Sequence, residues 1–217
     1  MSKQDTTVQT RIEEAGIVPV IRIDKTSDAV PLVEALSRGG LPVAEITFRT
    51  ESAEESIRLV AAAAKSILVG AGTVLTIEQV KRAVDAGAQF IVTPGFNPRV
   101  VEYCVKNGIA ITPGVNNPTG VEQALEFGLT VLKFFPAQAS GGTAMLKALG
   151  GPYGQVKFVP TGGVSLENLA EYLSLKNVAA IGGSWIVPPA SISAGDYGRI
   201  ETLTREAVAE VKKIRGA

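Results

Sequence analysis

Lys133 is the one charged residue in the stretch TVLKFFPAQASGG, which otherwise has the composition of a buried segment. One interpretation is structural, with the methylene stem lying on apolar neighbours while the ammonium reaches water. The other is chemical, because an amine in a dry pocket is more easily held in its neutral form and can then attack a carbonyl carbon. For the chemical interpretation we expect Leu132, Phe134 and Phe135 to supply the apolar surroundings.

Glu45 lies in the segment VAEITFR, which has the composition of a strand. Side chains alternate along a strand, so Val43, Glu45 and Thr47 share one side, which we expect to face the interior. The carboxylate could simply pair with Lys133 or Arg49. If Lys133 forms a Schiff base, however, a proton carrier is needed to make and break the carbinolamine and the enamine. Glu45 is the candidate for that carrier.

Arg49 and Thr73 are candidates for binding a substrate carboxylate. The planar guanidinium of an arginine presents a fork of donors that matches a carboxylate, and a threonine hydroxyl can add a further hydrogen bond. The alternative for Arg49 is a loop arginine in a surface ion pair, which contributes little.

Two glycine pairs, in PTGGVS and IGGSW, follow the last two predicted strands. Glycine lets backbone N–H groups come close to an anion, and parallel barrels commonly bind phosphate at these two loops with the help of a short helix N-terminus. Glycines also end helices, but the coincidence of two pairs favours a phosphate site. Its candidate residues are Gly162, Gly163, Gly182, Gly183 and Ser184, the last through its hydroxyl.

Composition narrows the classes of function. Lysine plus arginine and aspartate plus glutamate both total 21 among 217 residues, which gives no electrostatic reason to expect nucleic acid or an anionic membrane as a partner. A small-molecule substrate is the better expectation. The sequence contains no histidine, so a His-ligated zinc site, a Ser-His or Cys-His nucleophile and an imidazole base are all excluded. The single cysteine, Cys104, predicts a packed thiol.

The first residues, MSKQDTTVQTRIEEAG, are polar and of mixed charge, without the apolar core of a signal peptide. No later apolar run approaches the length of a membrane span. We expect a cytoplasmic protein that needs no membrane partner.

Eight short runs rich in β-branched residues alternate with segments of helical spacing. Strands that are apolar on both faces and alternate with helices indicate a parallel sheet covered by helices, and eight such units predict a (β/α)₈ TIM barrel. We expect a single domain over residues 1–217 with a short N-terminal helix. In such barrels the chemistry lies at the C-terminal ends of the strands, where the candidate residues converge. The predicted strands are IVPVIR, PVAEITF, ILVGAG, FIVTPG, IAITPG, TVLKFF, VKFVPTGG and VAAIGG.

The sequence resembles the 2-keto-3-deoxy-6-phosphogluconate (KDPG) aldolases and their kin that act on 4-hydroxy-2-oxoglutarate (KHG). The resemblance is carried by AEITFRT, VGAGTVL, AQFIVTPG, KFFPA, GGP, PTGGVS and IGGSW, in the family's order and spacing over nearly the whole chain. One segment departs from the family pattern. Asn116 and Asn117 stand where relatives usually carry small hydroxyl residues.

The resemblance implies a metal-independent class I aldolase with no cofactor, which cleaves KDPG to pyruvate and glyceraldehyde 3-phosphate, and implies a homotrimer. Lys133 would form the Schiff base with the keto carbon and Glu45 would shuttle protons. Arg49 and Thr73 would bind the pyruvate carboxylate, and Gly162, Gly163 and Ser184 would bind the phosphate. Thr161 would choose the face of the aldehyde that reacts. Pro94 and Phe135 would form apolar walls.

Other functions remain open from the residues themselves. The galactonate epimer of KDPG and unphosphorylated KHG are alternative substrates for the same chemistry. A sugar-phosphate epimerase or isomerase would share the phosphate loops but would leave Lys133 without a role. A non-catalytic phosphate-binding barrel would be expected to lack the lysine or the carboxylate, and both are present.

Overall fold

The computed structural model describes residues 3–216, with side chains from residue 7 onward. Within these residues there are nine strands and ten α-helices, and short 3₁₀ turns lie at Thr26–Asp28 and Gln138–Ser140. The strands are β1 (Ile17–Ile21), β2 (Val43–Thr47), β3 (Leu68–Gly72), β4 (Phe90–Val92), β5 (Ile111–Thr112), β6 (Gly114–Val115), β7 (Val131–Phe134), β8 (Lys157–Pro160) and β9 (Ile181–Gly183). The helices are α1 (Lys3–Ala15), α2 (Ala29–Arg38), α3 (Ala53–Ala63), α4 (Ile77–Asp85), α5 (Pro98–Lys106), α6 (Pro118–Glu126), α7 (Gly142–Gly150), α8 (Leu169–Leu173), α9 (Pro189–Ser193) and α10 (Tyr197–Arg215). Strands and helices alternate except that β6 follows β5 and α10 follows α9.

All paired strands run parallel, which confirms an α/β fold with a parallel sheet. Six strands form one sheet in the order β5-β4-β3-β2-β1-β9, and three form a second in the order β6-β7-β8. Isolated parallel bridges join Phe158 to Val178 and Thr161 to Gly182, next to the ends of β8 and β9. The strands therefore curl around a common interior.

The fifth predicted strand is divided at Pro113 into β5 and β6. Proline has no N–H to donate to a ladder, which favours a break in strand pairing at this position. Its carbonyl still accepts a hydrogen bond from the backbone N–H of Lys133, with N and O 3.0 Å apart. Because β5 pairs with β4 while β6 pairs with β7, one continuous segment passes from the first sheet to the second.

Apolar side chains form two separate cores, one on each face of the curled sheet. The larger core lies between strands and helices and contains Leu132 and Phe134. The smaller core lies inside the curl, and a β-carbon on Gly70 would lie 2.3 Å from the Phe90 ring there, so this interior is closely packed. Its buried members are Val8, Ile12, Val18, Val43, Leu68, Phe90, Val92, Ala110, Val159 and Ala180.

Helix α1 lies across the N-terminal ends of the strands. Val8 and Ile12 enter the inner core, at 6% and 4% exposure. Arg11 donates a hydrogen bond to the carbonyl of Ser66, just before β3, at 2.8 Å, and Glu13 pairs with Lys157 at the start of β8. The short N-terminal helix expected from the sequence thus closes one end of the interior. In the described part of the chain no helix is long and apolar enough to cross a membrane.

Candidate active site

Lys133 and Glu45 meet inside the curl. Lys133 lies on β7 and Glu45 on β2, two strands that are not neighbours in either sheet, so the side chains approach each other across the interior. The Lys133 Nζ and Glu45 Oε1 atoms are 3.5 Å apart, and the two residues are only 5% and 3% exposed. The structure thus places an amine and a carboxylate in contact within a largely apolar cavity.

The apolar surroundings of Lys133 differ from those expected from its chain neighbours. Leu132 and Phe134 point to the opposite face of β7 and pack in the outer core against the helices, because side chains alternate along a strand. The Lys133 Nζ instead lies 5.4 Å from the centre of the Phe135 ring. The small cavity around the amine is lined by Ile12, Val18, Glu45, Phe90, Val92, Thr112, Val159 and Thr161. The expectation for Leu132 and Phe134 was therefore wrong, while Phe135 is near the amine.

Arg49 and Thr73 follow two adjacent strands, β2 and β3, whose ends are in register at Thr47 and Gly72. The Arg49 Nε donates to the Thr47 hydroxyl oxygen at 2.9 Å, and the Thr47 hydroxyl donates to the Ile21 carbonyl at 2.7 Å. Thr47 is fully buried and anchors the exposed arginine. No ion pair of Arg49 is found within residues 3–216, so the surface-pair alternative has no partner there.

Thr73 has a left-handed backbone with a φ of 55°, and in the part of the chain that the structure describes it is the only non-glycine residue with positive φ. This conformation is unfavourable for a β-branched side chain. The hydroxyl is partly buried beside the ends of β2 and β3. A strained residue at the C-terminal end of parallel strands is a common feature of functional sites.

The first glycine pair forms a tight turn after β8. Gly162 and Gly163 both have positive φ, at 96° and 82°, which favours glycine at each position. The Gly163 N–H donates to no backbone carbonyl of the described chain, whereas the Gly162 N–H lies at the parallel bridge between Thr161 and Gly182. The turn is held from outside, because Gln138 N donates to the Gly162 carbonyl at 3.0 Å and Asn168 Nδ2 donates to the Gly163 carbonyl at 2.9 Å. The unpaired N–H group of Gly163 is suited to bind an anion.

The second glycine pair contributes differently. The bridge between Thr161 and Gly182 brings the two loops together, and the Ser184 N–H also has no backbone acceptor in the described chain. The missing side chains of this pair leave room for neighbours. A β-carbon on Gly182 would lie 2.1 Å from the Thr161 hydroxyl oxygen, and one on Gly183 would lie 2.1 Å from the Trp185 ring.

Pro94 and Phe135 line one wall of a cavity of about 640 Å³ at the ends of β4, β6 and β7. Asn116 and Asn117, the pair that departs from the family pattern, lie on its rim. Asn117 caps α6, because its side-chain oxygen accepts a hydrogen bond from Gly120 N at 2.9 Å, and it donates to Asn116 at 3.0 Å. Asn117, the second asparagine of the pair, is therefore accounted for by local structure as well as by the cavity.

Cys104 is not among the residues that line either cavity at this end of the fold. Cys104 is fully buried on α5, and burial raises the pKa of its thiol to about 12. Over the described residues, no group of three histidine, cysteine, aspartate or glutamate side chains is placed to hold a metal ion.

Sequence reasoning missed the supporting roles of Thr47, Gln138 and Asn168. The role of Thr47 could have been predicted, because alternation along β2 places it on the same inner face as Glu45, and Arg49 follows two residues later. Gln138 precedes Gly162 by 24 residues, so no local pattern points to it, whereas Asn168 follows Gly163 by only five residues and could have been recognised as part of the turn.

Residues 8–203 match the sequence model of one family, described as KDPG and KHG aldolase. The chain belongs to the KDPG and KHG aldolase family. It is 50% identical over 200 residues to the 2-dehydro-3-deoxy-phosphogluconate aldolase of Treponema pallidum, covering 92% of this chain and 95% of that protein. It is 42% identical over 212 residues to the KHG/KDPG aldolase of Escherichia coli K12, covering 98% and 100%.

Solved structures of this family have the same fold. The KDPG aldolase of Legionella pneumophila, captured at low pH with pyruvate as a covalent carbinolamine intermediate, superposes with a TM-score of 0.89 at 41% identity and covers 91% of this chain and 96% of its own. The KDPG aldolase of Zymomonas mobilis with 3-phosphoglycerate gives a TM-score of 0.88 at 37% identity, covering 93% and 95%. Membership of the family thus rests on both sequence and fold.

Proposed function

We propose that this protein is a class I, Schiff-base aldolase that reversibly cleaves KDPG to pyruvate and glyceraldehyde 3-phosphate, with cleavage of KHG to pyruvate and glyoxylate as a second reaction. The observation that carries the proposal is the buried contact between Lys133 Nζ and Glu45 Oε1 at 3.5 Å. A charged pair this deeply buried is expensive to maintain unless it has a use. Carbonyl chemistry at an amine next to a proton carrier supplies that use.

In the proposed mechanism the neutral Lys133 amine adds to the keto carbon of the substrate. Loss of water from the carbinolamine gives an iminium, whose positive nitrogen accepts the electron pair released when the C3–C4 bond breaks. Glu45 takes the proton of the C4 hydroxyl, so the aldehyde leaves and an enamine of pyruvate remains. Glu45 then returns a proton to the enamine carbon, and water releases pyruvate from the lysine.

The substrate lies between two anion sites in this proposal. Arg49, oriented by Thr47, and Thr73 bind the carboxylate next to the reacting carbon. The N–H groups of Gly162 and Gly163, with Ser184, bind the phosphate at the other end. Gly182 and Gly183 act by leaving space for Thr161 and Trp185. Pro94 and Phe135 form an apolar wall, and Thr161 lies where it can select the face of the aldehyde.

We further propose that residues 1–217 form one domain and that the curled sheet closes as a (β/α)₈ barrel. Continuity through Pro113 supports this closure on one side, and the bridges Phe158–Val178 and Thr161–Gly182 support it on the other. Assembly as a homotrimer and a cytoplasmic location belong to the same proposal, by resemblance to the family.

The test is trapping of the Schiff base. Borohydride is added to the folded protein with pyruvate, and the adduct is mapped by peptide mass spectrometry, with Lys133→Met as the variant and the exposed Lys147→Met as the matched control. We expect one reduced pyruvate adduct, on Lys133, which is absent in Lys133→Met and unchanged in Lys147→Met. Absence of an adduct in folded wild-type protein would refute the mechanism and favour the non-catalytic barrel.

Substrate choice is tested separately. Cleavage rates on KDPG, its galactonate epimer and KHG are compared by coupled detection of pyruvate. We expect a higher kcat/KM on KDPG and its epimer than on KHG, because the glycine turn offers an N–H group to a phosphate, and a higher value on KDPG than on its epimer if Thr161 selects the aldehyde face. Equal or higher kcat/KM on the galactonate epimer would transfer the assignment to that substrate.

A further inference from the structure

Gly72, the last residue of β3, lies directly beneath the carboxylate of Glu45. An ideal β-carbon built on Gly72 would lie 2.1 Å from Glu45 Oε1 and 2.7 Å from both Cδ and Cγ of the same side chain. Carbon atoms without a bond between them do not approach this closely. The carboxylate of Glu45 therefore occupies space that exists only because residue 72 has no side chain.

The backbone gives no other reason for glycine at this position. Gly72 is absent from the glycines of positive φ in the described chain and lies within a paired strand, opposite Thr47. Any L-residue can adopt that conformation, and glycine within a strand weakens it by about 0.5–1 kcal/mol relative to alanine. What residue 72 provides is thus space for Glu45 and not a special backbone geometry.

Glu45 is positioned by shape more than by hydrogen bonds. In the part of the chain that the structure describes, its carboxylate has one hydrogen-bond partner, the Nζ of Lys133 at 3.5 Å, a long contact for a charged pair. The residue is 3% exposed in a closely packed interior, so contacts with its neighbours decide which side-chain conformation it adopts. The gap above Gly72 decides where the carboxylate lies.

We infer that Gly72 is a positioning residue for the aldolase reaction, which holds the Glu45 carboxylate beside the Lys133 amine by leaving its place empty. This inference rests on the proposed function, because it gives Glu45 the role of proton carrier. One methyl group at residue 72 should therefore displace the carboxylate and stop proton transfer, while Lys133 itself remains free to form an adduct.

The substitution Gly72→Ala is expected to fold. The nearest atoms that a new β-carbon meets are Oε1, Cδ and Cγ of the Glu45 side chain, and none is a backbone atom. Glu45 can therefore yield by rotation of its own side chain without movement of the backbone, and its Oε1 atom then loses the position 3.5 Å from Lys133 Nζ. An effect on proton transfer without an effect on folding separates positioning from a structural role.

The experiment is a double-mutant cycle between Gly72→Ala and Glu45→Gln, with Gly154→Ala as control, since a β-carbon on Gly154 meets nothing within 4 Å. Proton transfer is measured as exchange of the pyruvate methyl protons into D₂O by NMR, which requires the enamine but no aldehyde. Adduct formation is measured by borohydride trapping on Lys133, and folding by urea unfolding of each variant.

We expect Gly72→Ala to slow exchange about 100-fold or more, as loss of a general acid–base does, with trapping on Lys133 retained. Added to Glu45→Gln, the same change should slow exchange less than about threefold, because residues that act as a unit are not additive. Gly154→Ala should exchange at the wild-type rate.

The outcomes separate the two claims. Exchange at the wild-type rate in Glu45→Gln would overturn the proton-carrier role in the proposed function. Slow exchange in Glu45→Gln together with wild-type exchange in folded Gly72→Ala would overturn only the inference about Gly72. The inference also fails if Gly72→Ala does not fold, or if it slows the Glu45→Gln enzyme as much as it slows the wild type, since both results would show an effect through the fold.

Discussion

Replacement of Thr73 by glycine is expected to stabilise the fold and weaken the site at the same time. A non-glycine residue in the left-handed region costs about 1–2 kcal/mol, and Thr73 adopts this region with a φ of 55°. Glycine removes that strain but adds about 0.5–1 kcal/mol of entropy to the unfolded chain. The midpoints of these two ranges differ by about 0.75 kcal/mol in favour of the glycine variant, which corresponds to roughly 1.5–3 °C in melting temperature for a chain of this size.

The functional effect has the opposite sign. If the Thr73 hydroxyl binds the substrate carboxylate, its loss removes a hydrogen bond to a charged group, worth about 1.5–3 kcal/mol. The KM for pyruvate in methyl-proton exchange should then rise about tenfold or more. Thr73→Val is the control, because it removes the hydroxyl but remains β-branched in the same conformation. It should lose pyruvate affinity as Thr73→Gly does, without the gain in stability.

The assay is equilibrium unfolding in urea at one fixed protein concentration, since association would make stability depend on concentration. A Thr73→Gly protein that unfolds at lower urea than wild type and Thr73→Val would refute the strain argument. An unchanged KM in both variants would remove Thr73 from the carboxylate site and leave the strain without a functional role.

Three other substitutions or treatments test separate features. Burial raises the pKa of the Cys104 thiol to about 12, so only about one molecule in ten thousand should carry the thiolate at pH 8. Alkylation of Cys104 by iodoacetamide should therefore require unfolding in urea. Rapid alkylation of the native protein would contradict this. Ser56→Ala should raise the free energy of unfolding by about 1 kcal/mol, since the Ser56 hydroxyl is buried without a hydrogen bond in the described structure; Ser52→Ala, which loses a bond to the Asp24 carbonyl, should lower it, and equal losses in both would disprove the reasoning. Gly182→Ala should move Thr161 and change the ratio of rates on KDPG and its galactonate epimer by roughly tenfold; an unchanged ratio in a folded variant would show that Thr161 does not select the aldehyde face.

Local sequence patterns predicted the elements well, because strands buried on both faces have a distinctive composition. All eight predicted runs contain strands, with the fifth divided at Pro113. Alternation along β2 also correctly placed Glu45 on the inner face, next to Lys133. The helix predicted from SLENLAEYLSLKN is shorter than expected, Leu169–Leu173, because Asn168 binds Ser165 N and the Gly163 carbonyl and holds the preceding residues in a turn.

Two kinds of information were not readable from the sequence. In a run as apolar as TVLKFF, composition does not show which side chains face the interior, and the surroundings of Lys133 were therefore assigned to Leu132 and Phe134. The second kind is the space that a glycine leaves for a side chain on another strand. The contact between Gly72 and Glu45 joins two strands through an absent side chain, and a glycine in a strand has several possible reasons until its neighbours are known.

The position of α1 makes the enclosure of the Lys133 amine depend on parts of the chain that are synthesised late. This helix precedes every strand in the sequence, yet Val8 and Ile12 share their core with Val159 on β8 and with Ala180, just before β9. Ribosomal synthesis supplies these partners only after most of the chain has emerged. The cavity around Lys133, which Ile12 and Val159 both line, cannot be shut off from water before then. The wall around the amine is therefore completed only when the first helix and β8 have come together, late in the folding of the chain.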